Sequence, residues 1–172
     1  TTVRNPYFRT IFSNVQPDIL VCQEMTSPTG VNGFLVRVLN RVSSGYAAGT
    51  FINGTDTDNA IYYKTSLFTF LSNTPIATSL RDINEFRLRH NETGDTIIIY
   101  SVHLKAGDSS SDSLQRAAEI DSLRKRTNSL PSNSNYIVVG DFNIYSSNES
   151  AFQKLLNQSQ SGYFKDPLNL IG

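Results

Sequence analysis

At 172 residues the chain is long enough for one well-buried core, and its 38% apolar content is ordinary for a soluble protein. Lys+Arg and Asp+Glu both number 15, so the net charge is zero, which argues against the strongly basic surface of a tight nonspecific nucleic-acid binder. One cysteine, Cys22, excludes an internal disulfide and, with only His90 and His103 beside it, a structural zinc site; no apolar run reaches the roughly 18 residues of a membrane span.

Val3, Tyr7, Phe8, Ile11, Phe12 and Val15 recur at helical spacing, so the spacing predicts an opening amphipathic helix closed by Pro17. The run "DILVCQE", 18–24, lacks alternation and suits a strand covered on both faces. A Ser-Pro-Thr-Gly turn at 27–30 leads to "VNGFLVRVLN", read as a short helix. From Tyr46 to Ile76 the runs "GTFI", "NAIYYK" and "LFTFL" alternate with turn residues and predict short strands. "EFRLRH" and "TIIIYSVHL", joined by "NETGD", predict a hairpin with Phe86 and Leu88 inside and Arg87 and Arg89 on the exposed face. A helix is expected from about Asp112 to Thr127, with Leu114, Ala117, Ala118, Ile120 and Leu123 as its apolar stripe. Arg116 and the run Arg124-Lys125-Arg126 then read as its wet side. Asp112 with Gln115, and Ser146 with Glu149, resemble capping boxes. Mixed strands and helices with a hairpin indicate α/β or α+β layers.

Three apolar runs end in chemistry. "DILVCQE" ends in Glu24, "IIIYSVHLK" in His103 and Lys105, and "YIVVGDFN" in Asp141 and Asn143. The carboxyl edge of strands is a favoured place for a ligand crevice in layered α/β folds, and neighbouring strands of one orientation would bring these groups together. Two carboxylates and an amide oxygen are hard donors, suited to Mg²⁺, Mn²⁺ or Ca²⁺. An imidazole and an ammonium beside such a cation are what phosphoryl transfer needs. Asp141 and Asn143, at i and i+2 of an extended segment, are expected to face one way. Gly140 is expected to let the backbone approach a ligand, with Phe142 turned into the core.

"PDILVCQE", "IIIYSVHLKAG", the arginine of "SLQRAAEI" and "IVVGDFN" closely resemble the endonuclease/exonuclease/phosphatase superfamily, in its order and over about residues 5 to 155. Deoxyribonuclease-like enzymes, abasic-site endonucleases, sphingomyelinases and inositol-polyphosphate phosphatases belong to it. The resemblance implies an α/β (α+β) fold, a four-layered sandwich of two mixed sheets packed face to face with helices outside. It implies metal binding at Glu24 with Asp141, water activation by Asp141, phosphate contacts at Asn143 and His103, and supporting contacts from Lys105 and Arg116. Asn59, in "DNAIYYK", matches a polar position on a neighbouring strand. Family members also carry an earlier strand with an asparagine and a later Ser-Asp-His segment. Neither is present here, so a single domain over 1–172, incomplete at both ends and of doubtful activity by itself, is expected.

The resulting expectation is a Mg²⁺-dependent phosphodiesterase or nuclease-like hydrolase, with Mn²⁺ or Ca²⁺ as alternative cofactors. Its partner would be a phosphodiester or phosphomonoester, with DNA among the candidates, and it would act as a monomer, secreted or periplasmic rather than cytoplasmic. A sugar- or lipid-phosphate phosphatase, a non-catalytic binding module on the same sandwich, and a domain holding structural Ca²⁺ are the alternatives.

Overall fold

A computed structural model describes residues 2–54 and 56–168. Helix α1 (Asn5–Val15) follows a short 3₁₀ turn and ends on Gln16, whose left-handed backbone donates its N–H to the Phe12 carbonyl. Strand β1 (Ile19–Met25) then leads into α2 (Pro28–Phe34), a π-helical stretch at Leu35–Leu39 and α3 (Asn40–Val42). The turn expected at 27–30 is the start of α2: Ser27 accepts from the Gly30 N–H as N-cap, and Pro28 occupies the first turn, where a missing N–H costs nothing.

Strands β2 (Tyr46–Ala48) and β3 (Asp58–Lys64) join β1 in a three-stranded antiparallel sheet ordered β1-β3-β2. The predicted strand "GTFI" is irregular; pairing stops at Ala48, just before Gly49, where a Cβ would meet the Phe70 ring and Ile61. Strands β4 (Phe68–Ile76), β5 (Ile83–His90), β6 (Thr96–His103) and β7 (Asn135–Asp141) form the second sheet in that order. Its pairs are antiparallel except β6–β7, which is parallel and is bridged by helix α4 (Ser110–Thr127). Helix α5 (Ser150–Leu156) packs beside α4.

Three apolar clusters stack these elements into four layers. Phe12, Val31, Leu39 and Tyr62 bind α1–α3 to the outer face of the three-stranded sheet. Ile61, Phe86, Leu88 and Ile99, all at most 2% exposed, fill the space between the sheets. Ile98, Tyr100, Val102, Ile120, Leu123 and Leu155 join the second sheet to α4 and α5. Burying one such side chain contributes about 2 kcal/mol, so the inter-sheet layer alone outweighs any surface pair. The α/β four-layered sandwich expected from the resemblance is the fold of this chain.

Helix α4 departs from the expected polarity. Its cap is Ser109, paired reciprocally with Asp112, rather than Asp112 with Gln115. Leu114 of the predicted apolar stripe is 70% exposed, whereas Arg116 is 1% exposed and Arg124 is buried too. Both guanidiniums turn inward because backbone carbonyls await them: Arg124 donates to those of Lys154, Leu155 and Asn157 at the end of α5. Arg87 is likewise no free surface residue, because it bonds buried Glu85, which also accepts from Arg126 and Tyr100. The second capping box is absent: Glu149 precedes α5 but gives its carboxylate to Arg116 and the Tyr145 N–H.

Candidate active site at the strand ends

The parallel register of β6 and β7 makes His103 and Asp141 direct partners at the carboxyl ends of their strands. His103 Nε2 lies 4.0 Å from Asp141 Oδ2, an ion-pair distance longer than a hydrogen bond. The His103 ring is buried and its Nδ1 has no partner, whereas the Asp141 side chain is half exposed. Alternation along β6 sends Tyr100 and Val102 toward α4 and Ser101 and His103 into the inter-sheet space, so the imidazole reaches the edge from inside the sandwich.

Asn143 is not in the extended conformation expected. Its φ is 49°, its N–H donates to Asp141 Oδ1 at 3.0 Å, and its Nδ2 donates to the Leu104 carbonyl at 3.0 Å. The two side chains converge through a local turn rather than through strand alternation. Gly140 has a structural reason within the sheet. At φ 133° it lies against β6, and a Cβ there would sit 2.0 Å from the Val102 carbonyl oxygen. That close approach is to a neighbouring strand. Phe142 does turn back, packing against the α4–α5 cluster.

Glu24 belongs to the opposite sheet, so the three strand ends do not lie side by side in one sheet. The β1–β3 register shifts between Cys22 and Met25, and Glu24 takes φ 61°, a left-handed conformation costly for a residue with a Cβ. Strict alternation would send Glu24 to the helix layer with Leu20 and Cys22; the bulge breaks that alternation. Glu24 is exposed, with no hydrogen bond or ion pair among the described residues. Its neighbour Gln23 crosses between the sheets and donates to Ser101 Oγ at 3.2 Å, two residues before His103. Asn59 extends this polar bridge from β3. It is 2% exposed, donates to Asn84 Oδ1 at 2.9 Å, and keeps an unpartnered Oδ1.

The segment leaving β6 is held at almost every carbonyl. Arg81 Nε donates to His103 O at 3.1 Å and Nη2 to Leu104 O at 3.2 Å. Arg116 Nη1 donates to Lys105 O at 2.8 Å and Gly107 O at 2.7 Å, while its Nε and Nη2 grip Glu149. Arg116 is therefore a buried brace for the site loop, and its donors are spent on the protein rather than offered to phosphate. Glu119 accepts from the Lys105 N–H, and Lys105 Nζ pairs with Asp112 Oδ1 at 2.8 Å. Hydrogen bonds from Lys105 and Ser109 hold the Asp112 carboxyl down to about 2.

Thus the fold unites His103, Asp141 and Asn143, places Glu24 on the facing sheet, and turns Lys105 and Arg116 toward internal partners. Arg81 and Asn84 carry no sequence signal of their own, because each acts through a backbone group or amide supplied by a distant strand. The donor set suits a hard divalent cation. Glu24 and Asp141 are exposed carboxylates, and Mg²⁺ usually takes only one or two of these and completes its shell with water and phosphate. Among the described residues no group of three or more His, Cys, Asp and Glu side chains assembles as a closed metal cage. No helix among them is long and apolar enough to cross a membrane.

The chain matches the model of the Endonuclease/Exonuclease/phosphatase family over residues 5–164. Solved structures with the same fold include D. rerio TDP2 complexed with single strand DNA product, at 17% identity and TM-score 0.65, covering 84% of this chain and 55% of that one. The human Nocturnin catalytic domain with bound sulfate anion is 22% identical at TM-score 0.65, covering 89% and 63%. A Bacteroides thetaiotaomicron mannosyl-6-phosphatase is 16% identical at TM-score 0.66, covering 88% and 60%. The chain thus spans somewhat over half the length of each. No curated protein sequence matches it.

Proposed function

Because the chain belongs to the endonuclease/exonuclease/phosphatase family, we propose that it carries the greater part of a phosphate-ester hydrolysis site, with Glu24, His103, Asp141 and Asn143 as its working residues. The observation that supports this most is the His103–Asp141 pair, fixed in register at two parallel strand ends with Asn143 folded back onto Asp141. Phosphodiesters and phosphomonoesters are both within the reading, with DNA one candidate.

The half-exposed Asp141 carboxylate accepts a proton from a water, whose oxygen attacks phosphorus in line with the ester oxygen. The P–O bond to that oxygen breaks, and the departing alkoxide takes a proton from solvent or a general acid. His103 Nε2 faces the same edge and steadies a non-bridging oxygen, its ring aimed by burial. Asn143 ties the Asp141 carboxylate to the β6 exit, so base and phosphate contact move as one body. Mg²⁺, held by Glu24 with Asp141, would neutralise phosphate charge and stabilise the departing oxygen. His90 cannot supply the second imidazole. It ends β5 beside the start of β6, and seven strand steps of about 3.4 Å put it roughly 24 Å from His103.

Replacing Asp141 by Asn tests this reading. Mg²⁺-dependent hydrolysis of bis(p-nitrophenyl) phosphate by the intact protein should fall by at least about two orders of magnitude; an unchanged rate sinks the assignment.

A further inference from the structure

Tyr145 lies two residues beyond Asn143 and is 63% exposed, yet it is fixed twice over. The Arg116 guanidinium sits against its ring, 5.4 Å from the centroid, and its N–H donates to Glu149 Oε1 at 2.9 Å. Arg116 and Glu149 are themselves locked in a two-pronged ion pair beneath the surface. A lone exposed aromatic needs no explanation. One clamped by a buried cation, and lining a groove of about 460 Å³ together with the 70%-exposed Leu114, is a prepared surface. The ordering of the ring precedes any ligand, so binding there loses little further side-chain entropy.

Given the phosphate-ester reading above, on which it rests, we propose that Tyr145 is a stacking platform for a nucleobase attached to the scissile phosphate, making the substrate a nucleotide or nucleic-acid ester. Two residues span at most about 7 Å between Cα atoms, within the reach of one nucleotide, so a phosphate at Asp141 and Asn143 can carry its base to the Tyr145 ring. The cation behind the ring draws its π-density backward, which favours an electron-rich heteroaromatic face in front over a second cation. Asp108 and Glu149 line the groove with Arg116, whose donors are spent on Glu149 and two loop carbonyls, so it offers no free positive charge for another phosphate. A flat, neutral group is what the groove can take.

Calorimetric titration of the intact protein in Mg²⁺ with deoxyadenosine monophosphate and with the base-less deoxyribose 5-phosphate tests this. Wild type and Tyr145→Phe should bind the nucleotide about tenfold more tightly than the sugar phosphate, the scale of base–aromatic stacking. Tyr145→Ala should lose that preference while binding the sugar phosphate as before. A preference that survives Tyr145→Ala, or a parallel loss of both ligands, overturns the platform. No preference in the wild type also overturns it, while leaving the phosphate site standing if the sugar phosphate binds. Failure of both ligands to bind the wild type overturns the phosphate-site reading, and the platform with it.

Discussion

His103 and Asp141 face each other across the parallel junction of the four-stranded sheet, with Nε2 and Oδ2 4.0 Å apart. Neither strand end can shift without moving the other, since the Leu104 N–H donates to the Asp141 carbonyl at 2.9 Å just beyond the pair. Groups coupled this closely act as a unit. His103→Ala and Asp141→Ala should each lower kcat/KM by a factor on the order of 10²–10³, and the double variant by little more. Steady-state rates on one phosphodiester measure this, and losses that multiply would show two independent roles.

Glu24 occupies a left-handed position without a counter-charge. If it holds Mg²⁺, the cation should raise the melting temperature of wild type and not of Glu24→Gln, and EDTA should reverse the gain. At a hundred times Kd the stabilisation is about 2.7 kcal/mol. Equal shifts in the two proteins would assign the cation elsewhere.

The buried Arg116–Glu149 pair should behave as structure. Arg116→Ala leaves a carboxylate and two loop carbonyls without their donor, at a cost of roughly 3–5 kcal/mol in urea unfolding. Arg116→Lys keeps the charge, loses the fork, and should also be destabilised. A stable Arg116→Lys protein with a raised KM would return this residue to a phosphate-binding role.

Glu85 predicts an acid limb. Burial acts to raise its carboxyl, but hydrogen bonds from Arg126, Arg87 and Tyr100 outweigh it and hold the group below its usual 4.5. A depressed folded value stabilises the fold above the unfolded value, and that stability drains as pH falls through the folded one. Melting temperature should therefore decline below about pH 4.5, and Glu85→Gln should lower the neutral-pH plateau and flatten the decline. A variant with the same acid slope as wild type would place the effect in other carboxylates, of which Asp112 and Glu149 are also depressed.

The strands were the most readable part of the chain. The apolar run Ile97–Tyr100 reads as a strand, and β6 is covered on one side by the inter-sheet layer and on the other by α4. Helix α4 was the least readable, because amphipathicity assigns Arg to water and cannot foresee that open carbonyls of β6 and α5 will draw Arg116 and Arg124 inward. In the site, Asp141 and His103 could be picked out because each terminates an apolar strand. Their alignment depends on β6–β7 register, which is a tertiary fact. Arg81 and Tyr145 sit in loops whose composition is uninformative, and only distance shows what they touch. Asn143 is legible in type and not in conformation, since an amide whose backbone folds back on a carboxylate two residues earlier looks the same in sequence as one in a strand.

The contact between Gly140 and the Val102 carbonyl bears on transplantation of the site. A designer moving Gly-Asp-Phe-Asn to another scaffold would be moving a letter that serves the adjoining strand together with letters that serve chemistry. On a host without a parallel neighbour at that spacing the glycine would only loosen the chain, and Asp141 would lose the rail that fixes its height. The portable unit is therefore the paired ends of two strands with their crossover helix, and the four-residue string is only its visible label.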